Sequence, residues 1–205
     1  MSKTVKLYYV YDPMCSWCWG YKPVWKQIEQ AVQQEVEVQY LLGGLAPDSD
    51  IPMPIEMQKQ IASYWKKIEN YLGTPFNYDF WTNNTPRRST YPSCRATLAA
   101  RTQGKEIEML EAIQKAYYLD AKNPSDDQVL IQLADDIGLD SDIFKGEFLS
   151  DDIHKRLLSE ISVTRSIGGN SFPSLFIEKN GTITELPVDY QSASTTISQI
   201  LGLTT

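Results

Sequence analysis

From Val5 to Tyr11 every side chain is β-branched, aliphatic or aromatic except Lys6. Successive side chains of a strand point to opposite faces, so a strand that is apolar on both faces must be covered on both. That one run calls for a layered sheet and puts residues 5–11 near its middle. From about Cys15 to Gln34 the apolar period becomes helical, with Val24, Ile28, Ala31 and Val32 recurring. Val36, Val38, Tyr40 and Leu42 then alternate before Gly43-Gly44. Strand, helix and strand in this order predict a βαβ unit with its two strands parallel.

The far end completes the sheet. Residues 174–179 and 182–186 flank Asn180-Gly181, a pair that tolerates positive φ at both turn positions and so predicts a hairpin. Asp189 is expected to cap a last helix with Ile197, Ile200 and Leu201 on one face and Gly202 as its stop. After the prolines at 47, 52 and 54 the middle of the chain is almost wholly helical. Its apolar stripes are Ile61, Tyr64, Trp65, Ile68 and Leu72; Ile107, Leu110, Ile113 and Tyr117; Val129, Leu133 and Ile137; and Ile153, Leu157, Leu158 and Ile161. A capping box, Ser125 with Gln128, is expected to open the third, and Gly138 to end it. The expected fold is therefore α/β, β-α-β…β-β-α, with the sheet built from residues 1–44 and 171–205 and an all-helical insertion subdomain over 45–170.

Composition narrows the function. The net charge is −7, and the basic residues are scattered apart from Arg87-Arg88, so no stripe exists to neutralise a run of phosphates; no nucleic-acid partner is expected. Leu7–Tyr11 is too short for a signal-peptide core, and no run approaches the roughly 20 apolar residues of a membrane span. A cytoplasmic protein with no membrane partner is expected. The three cysteines, Cys15, Cys18 and Cys94, are too few for a disulfide scaffold, which leaves catalytic, metal-binding or inert roles.

Cys15 and Cys18 lie where the first strand hands over to the first helix, in Asp12-Pro13-Met14-Cys15-Ser16-Trp17-Cys18-Trp19-Gly20. With the helix starting at Cys15, the two share a face within disulfide reach and can interconvert between dithiol and disulfide. The helix N-terminus favours the Cys15 thiolate, whereas Cys18, one turn in, suits the resolving role. A CxxC at this junction of a βαβ unit signals redox chemistry. Phe172-Pro173, just ahead of the third strand, is a fitting place for a cis bond. A zinc site needs four ligands, and neither Cys94, His154 nor the carboxylates supply the spacing, so no metal is expected.

DPMCSWCWG (12–20), RSTYPSCRATLAA (88–100), IQKAYYLDAKNPSD (113–126) and NSFPSLFI (170–177), around a helical insert, resemble the DsbA-like branch of the thioredoxin superfamily. The resemblance is to its intracellular, FrnE-like predicted protein-disulfide isomerases, and it runs over nearly the whole chain. It implies a DsbA-like thioredoxin fold, Cys15 as nucleophile, Cys18 as resolving thiol, and Pro173 as the cis-proline that docks substrate backbone. Two positions depart from the family. Ser16-Trp17 replaces the histidine-bearing pair of periplasmic DsbA, so a strongly oxidising role does not carry over. The acid that many members carry six residues before the first cysteine is here Tyr9, which leaves Asp12 as the nearest candidate proton acceptor.

Trp17, Trp19, Tyr21 and Phe172 are candidates for an apolar lip that grips unfolded peptide, although Trp19 and Tyr21 could equally pack beneath the helix. Cys94 reads as a core thiol, His154 as an exposed bystander, and Arg87, Arg88 and Arg95 as solvated charge rather than a site for a glutathione carboxylate. The expected function is thiol–disulfide oxidoreductase or protein disulfide isomerase. Protein or small thiol and disulfide substrates follow, with no bound cofactor and glutathione or a thioredoxin-like protein as electron donor. Two rivals remain: a glutathione-dependent transferase or isomerase of the kappa-class and chromene-carboxylate isomerase type, and a non-enzymatic redox-sensing binding module.

Overall fold

The computed structural model describes residues 5–204; Thr205 and residues 1–4, where the stretch read for a signal peptide begins, lie outside the described residues. The chain divides into two compact units, Met1–Gly43 with Glu160–Thr205, and Gly44–Ser159.

In the first unit β1 (Val5–Tyr11), β2 (Glu37–Leu42), β3 (Ser174–Lys179) and β4 (Thr182–Leu186) form one sheet in the order β2-β1-β3-β4. α1 (Ser16–Val32) carries the chain from β1 to the parallel β2, with Tyr9 opposite Tyr40. β3 runs antiparallel to β1 and places Leu175 opposite Tyr9. Both faces of β1 are used. Tyr8 and Val10 join Leu41, Phe176, Ile167 and Phe172 in one apolar cluster, while Tyr9 stacks on Trp25 of α1 at 4.2 Å. α9 (Ser194–Gly202) packs against α1. The β3–β4 turn has φ of 54° at Asn180 and 76° at Gly181, the double positive φ of a type I′ hairpin.

The second unit holds α2 (Ile55–Leu72), α3 (Phe80–Asn83), α4 (Tyr91–Arg101), α5 (Glu106–Tyr118), α6 (Asp127–Asp136), α7 (Ser141–Phe148) and the start of α8 (Asp151–Ser166). Its core centres on Trp65, fully buried, with ring centroids of Phe76, Phe80, Tyr117 and Tyr118 at 5.1, 5.8, 5.4 and 5.4 Å. Trp65→Ala is expected to cost ~3–5 kcal/mol, the usual range for deleting a buried indole, read as a fall in urea midpoint at unchanged slope. Its indole N–H has no partner among the described residues, so Trp65→Phe should cost much less.

Several local expectations fail. Ser125 does not cap α6: its hydroxyl donates to the Ser89 carbonyl at 2.6 Å, and the N-cap residue is Asp126. Tertiary bonding competes for the same hydroxyl and wins. Asp189 accepts from Gln191 N and Ser192 N at 2.8 and 3.1 Å, closing a turn ahead of α9, whose N-cap residue is Ala193. Tyr64 and Leu158 face outward, 43% and 45% exposed, because each lies at the edge of its apolar stripe. The division between units falls inside α8 rather than at 170, since the second half of α8 bonds to the end of β2. Thr164 Oγ1 donates to Leu42 O at 3.0 Å, and Leu42 N donates to Glu160 Oε1 at 2.8 Å.

Candidate active site

Beyond β1 the chain turns on Asp12, whose carboxylate accepts from Met14 N at 2.8 Å and whose carbonyl accepts from Cys15 N at 3.0 Å. This turn delivers Cys15 to the N-cap of α1, with extended φ and ψ of −81° and 116° and its carbonyl accepting from Trp19 N at 3.1 Å. The helix therefore starts one residue later than the sequence suggests, at Ser16. An N-cap side chain meets the third helical residue, the relation used in a capping box, and here that residue is Cys18. Both are free thiols; Cys18 is fully enclosed and Cys15 is 7% exposed, so Cys15 is buried rather than open but is still the more accessible.

Burial pushes the Cys18 thiol well above its ordinary 9.0; hydrogen bonding to Cys15, repulsion from Cys15 and the buried Asp12 carboxylate add to this, and a backbone hydrogen bond at Asp12 opposes it. Tyr9 lies in the same pocket of charge. Its phenol is raised first by burial and then by Cys18, so the residue in the place of the family's acid stays neutral. A thiol that is neutral in the fold but ionises in the unfolded chain leaves the unfolded state with fewer protons at high pH. Its stabilising contribution is full below pH 9 and declines above it, by about 1.4 kcal/mol per pH unit. Urea midpoints should fall between about pH 9 and 10, before Tyr8, pushed up to about 12, contributes its own share; in Cys18→Ser the fall should shrink.

The Phe172–Pro173 bond is cis, as expected, and the Phe172 carbonyl accepts from Cys15 Sγ at 3.5 Å. Cysteine pair, Asp12, Phe172 and Pro173 are thus brought together in the first unit. Trp17 and Trp19 are half-buried: Trp17 packs edge-on against Tyr190 at 5.0 Å, and the Lys22 ammonium lies 5.4 Å from the Trp19 ring. Tyr21 is fully buried, as its packing alternative required.

The remaining sequence candidates lie in the second unit. Cys94 is fully buried in α4. His154 is half-exposed but not isolated, with Nδ1 3.4 Å from Arg95 Nη1 and 3.9 Å from Asp48 Oδ2. Arg87 and Arg95 are not solvated charges. Arg95 grips Asp48 through two bonds of 2.8 Å, and Arg87 pairs with Asp126 at 2.6 Å, because the loops they join come together only in the fold. Among the described residues no group of three acidic, histidine or cysteine side chains could hold a metal, and no helix is long and apolar enough to cross a membrane. Sequence reasoning missed Arg165, which contacts the Phe172 ring at 5.3 Å; its position in a polar helix carries no signal of that contact.

A solved structure from Nitrosomonas europaea, described as a candidate protein disulfide isomerase, is similar with a TM-score of 0.84 and 28% identity, over 97% of this chain and 96% of that one. The cytosolic disulfide reductase DsbM of Pseudomonas aeruginosa has the same fold, with a TM-score of 0.75 and 21% identity over 97% of this chain and 95% of that one. Among curated relatives, the ClpXP adapter protein SpxH of Halalkalibacterium halodurans is 24% identical over 189 residues, 89% of this chain and 61% of that protein. Its Bacillus subtilis counterpart is 25% identical over 178 residues, 85% of this chain and 58% of that protein. This chain therefore spans about three fifths of those relatives' length. The family model described as thioredoxin matches residues 8–192, a span that takes in the sheet, the helical insert, the cysteine pair and the cis-proline. The chain belongs to the thioredoxin family, in the DsbA-like form whose fold is interrupted by a helical insertion.

Proposed function

We propose that this protein is a cytosolic thiol–disulfide oxidoreductase acting on protein disulfides as a reductase or isomerase. The observation that carries the reading is the convergence of Cys15 Sγ, at the helix N-cap beside Cys18, on the carbonyl of a cis X-Pro peptide 3.5 Å away. The Cys15 thiolate attacks one sulfur of a substrate disulfide. That S–S bond breaks, a Cys15–substrate S–S bond forms, and the other substrate sulfur leaves as thiolate and takes up a proton. Cys18, losing its proton to Asp12 as acceptor, attacks the Cys15 sulfur and releases the second substrate thiol. Two electrons have passed to the substrate, and Cys15 and Cys18 are left as a disulfide. Glutathione or a thioredoxin-like dithiol returns two electrons to close the cycle. In isomerisation the first substrate thiolate released attacks another substrate disulfide, the thiolate freed there attacks the mixed disulfide in place of Cys18, and Cys15 leaves as thiolate, so that no net electrons move. Trp17, Trp19 and Phe172 offer apolar surface to the unfolded chain, and Pro173, with no N–H to compete, leaves its peptide edge to the substrate backbone.

Reduction of insulin disulfides with glutathione as donor tests the reading. Catalysed precipitation of the released B chain is expected, and rates equal to glutathione alone would overturn it. A second reading, an adapter that binds a client protein without redox turnover, is favoured by the names of the curated relatives. It predicts client binding that survives the loss of either cysteine.

A further inference from the structure

We infer that Arg165 is a positioning residue of the redox site, holding the Phe172 ring and, through it, the carbonyl that meets the Cys15 thiol. The inference rests on the reading of Cys15 as the nucleophile. Arg165 Nη2 donates to the Gly43 carbonyl at 2.8 Å, Nη1 donates to the Gly169 carbonyl, and the guanidinium lies 5.3 Å from the centre of the Phe172 ring. One side chain therefore ties together the residue after β2, the start of the proline loop and that loop's aromatic residue. Gly43 completes the seat. A β-carbon there would lie 1.9 Å from Phe172 Cε1, so the ring occupies the space that any side chain at 43 would need. Gly169 is pressed onto α8 in the same way, its absent β-carbon 2.8 Å from the Thr164 carbonyl oxygen.

The loop needs such support. Phe172 is only half-buried, and surface loops are mobile unless tied down. A planar guanidinium can bond two carbonyls and lie against a ring at once, whereas an ammonium is a single point of charge. With Arg165 in place, the Phe172 carbonyl stays 3.5 Å from Cys15 Sγ and the sulfur stays covered. Without it the loop swings, Cys15 is uncovered, and the edge that docks substrate is no longer held beside the sulfur.

Reactivity toward insulin should then fall while reactivity toward a small alkylating agent rises. In Arg165→Ala, KM for insulin is expected to rise about tenfold, the scale of losing a hydrogen bond from a charged donor, with kcat within about twofold. Alkylation of reduced Cys15 by iodoacetamide, mapped by mass spectrometry, should become several-fold faster. Cys94, buried in the other unit, is the internal control and should alkylate at the wild-type rate. Gly43→Ala should reproduce both effects by displacing the ring with Arg165 intact, and Arg165→Lys should stay close to Arg165→Ala. Wild-type KM and wild-type Cys15 alkylation in Arg165→Ala would overturn the inference. So would full rescue by lysine, which would reduce the role to charge, or a parallel rise at Cys94 in both variants, which would mean a general loss of fold. The alkylation arm needs no disulfide substrate, so a wild-type protein that fails to reduce insulin would refute the proposed function while this arm still reports on Arg165.

Discussion

Cys15→Ser is expected to abolish insulin reduction, lowering the rate by more than about 10³-fold, as the loss of a covalent nucleophile does elsewhere. Serine keeps the size and the N-cap position but is far less nucleophilic and cannot form a mixed disulfide. Cys18 cannot stand in for it. It is fully enclosed, and burial together with Cys15 and Asp12 holds its thiol protonated well above the ordinary range, so at neutral pH it offers little thiolate and no access. Cys94 is equally enclosed. The folded state should be nearly unaffected, with urea midpoints close to wild type, because serine is a favourable N-cap residue. Substantial activity remaining in Cys15→Ser would remove the nucleophile assignment.

Cys18→Ser is expected to do something different, leaving the protein stuck to its substrates. Attack by Cys15 is intact, but the mixed disulfide loses the neighbour that resolves it. An oriented intramolecular thiol acts at an effective concentration far above that of any external thiol; well-aligned intramolecular reactions reach ~10⁵ M and beyond. Adducts should accumulate within minutes under mild oxidation, visible on non-reducing gels, cleared by dithiothreitol and absent from the Cys15→Ser, Cys18→Ser double variant. An adapter that works by surface docking would form no such adducts. The pair of single variants thus separates turnover from binding.

Much of the sheet unit was legible because its signals are local. The run Val5–Tyr11, apolar on both faces, fits only a strand enclosed by neighbours on both sides, and it lies between β2 and β3. Asn180-Gly181 predicts its own turn, and the φ values of 54° and 76° meet it. Cys15 and Cys18 were placed by a strand ending and a helix beginning around them. The capping expectations at Ser125 and Asp189 failed for the opposite reason. A hydroxyl or carboxylate able to cap a helix can also bond to a distant carbonyl or close an earlier turn, and only the packed chain decides among these.

Arg87, Arg95 and His154 show the same boundary in charge. Nothing in their sequence neighbourhood distinguishes a solvated arginine from one that grips Asp48 from 47 positions away. The seat of Phe172 is the sharpest case, built from Gly43 after β2, Arg165 on α8 and Gly169 in the loop. Gly43 lies 122 positions from Arg165, and no periodicity links it to α8 or to the loop that follows. The sequence by itself determined the element order, the hairpin and the cysteine pair at a helix start, because these rest on backbone preferences and apolar spacing over a few residues. Only the tertiary structure decided how deeply each thiol is buried, which carbonyl faces Cys15 and which cation steadies it. Burial, desolvation and hydrogen-bond partners depend on atoms that become neighbours only when the chain closes on itself.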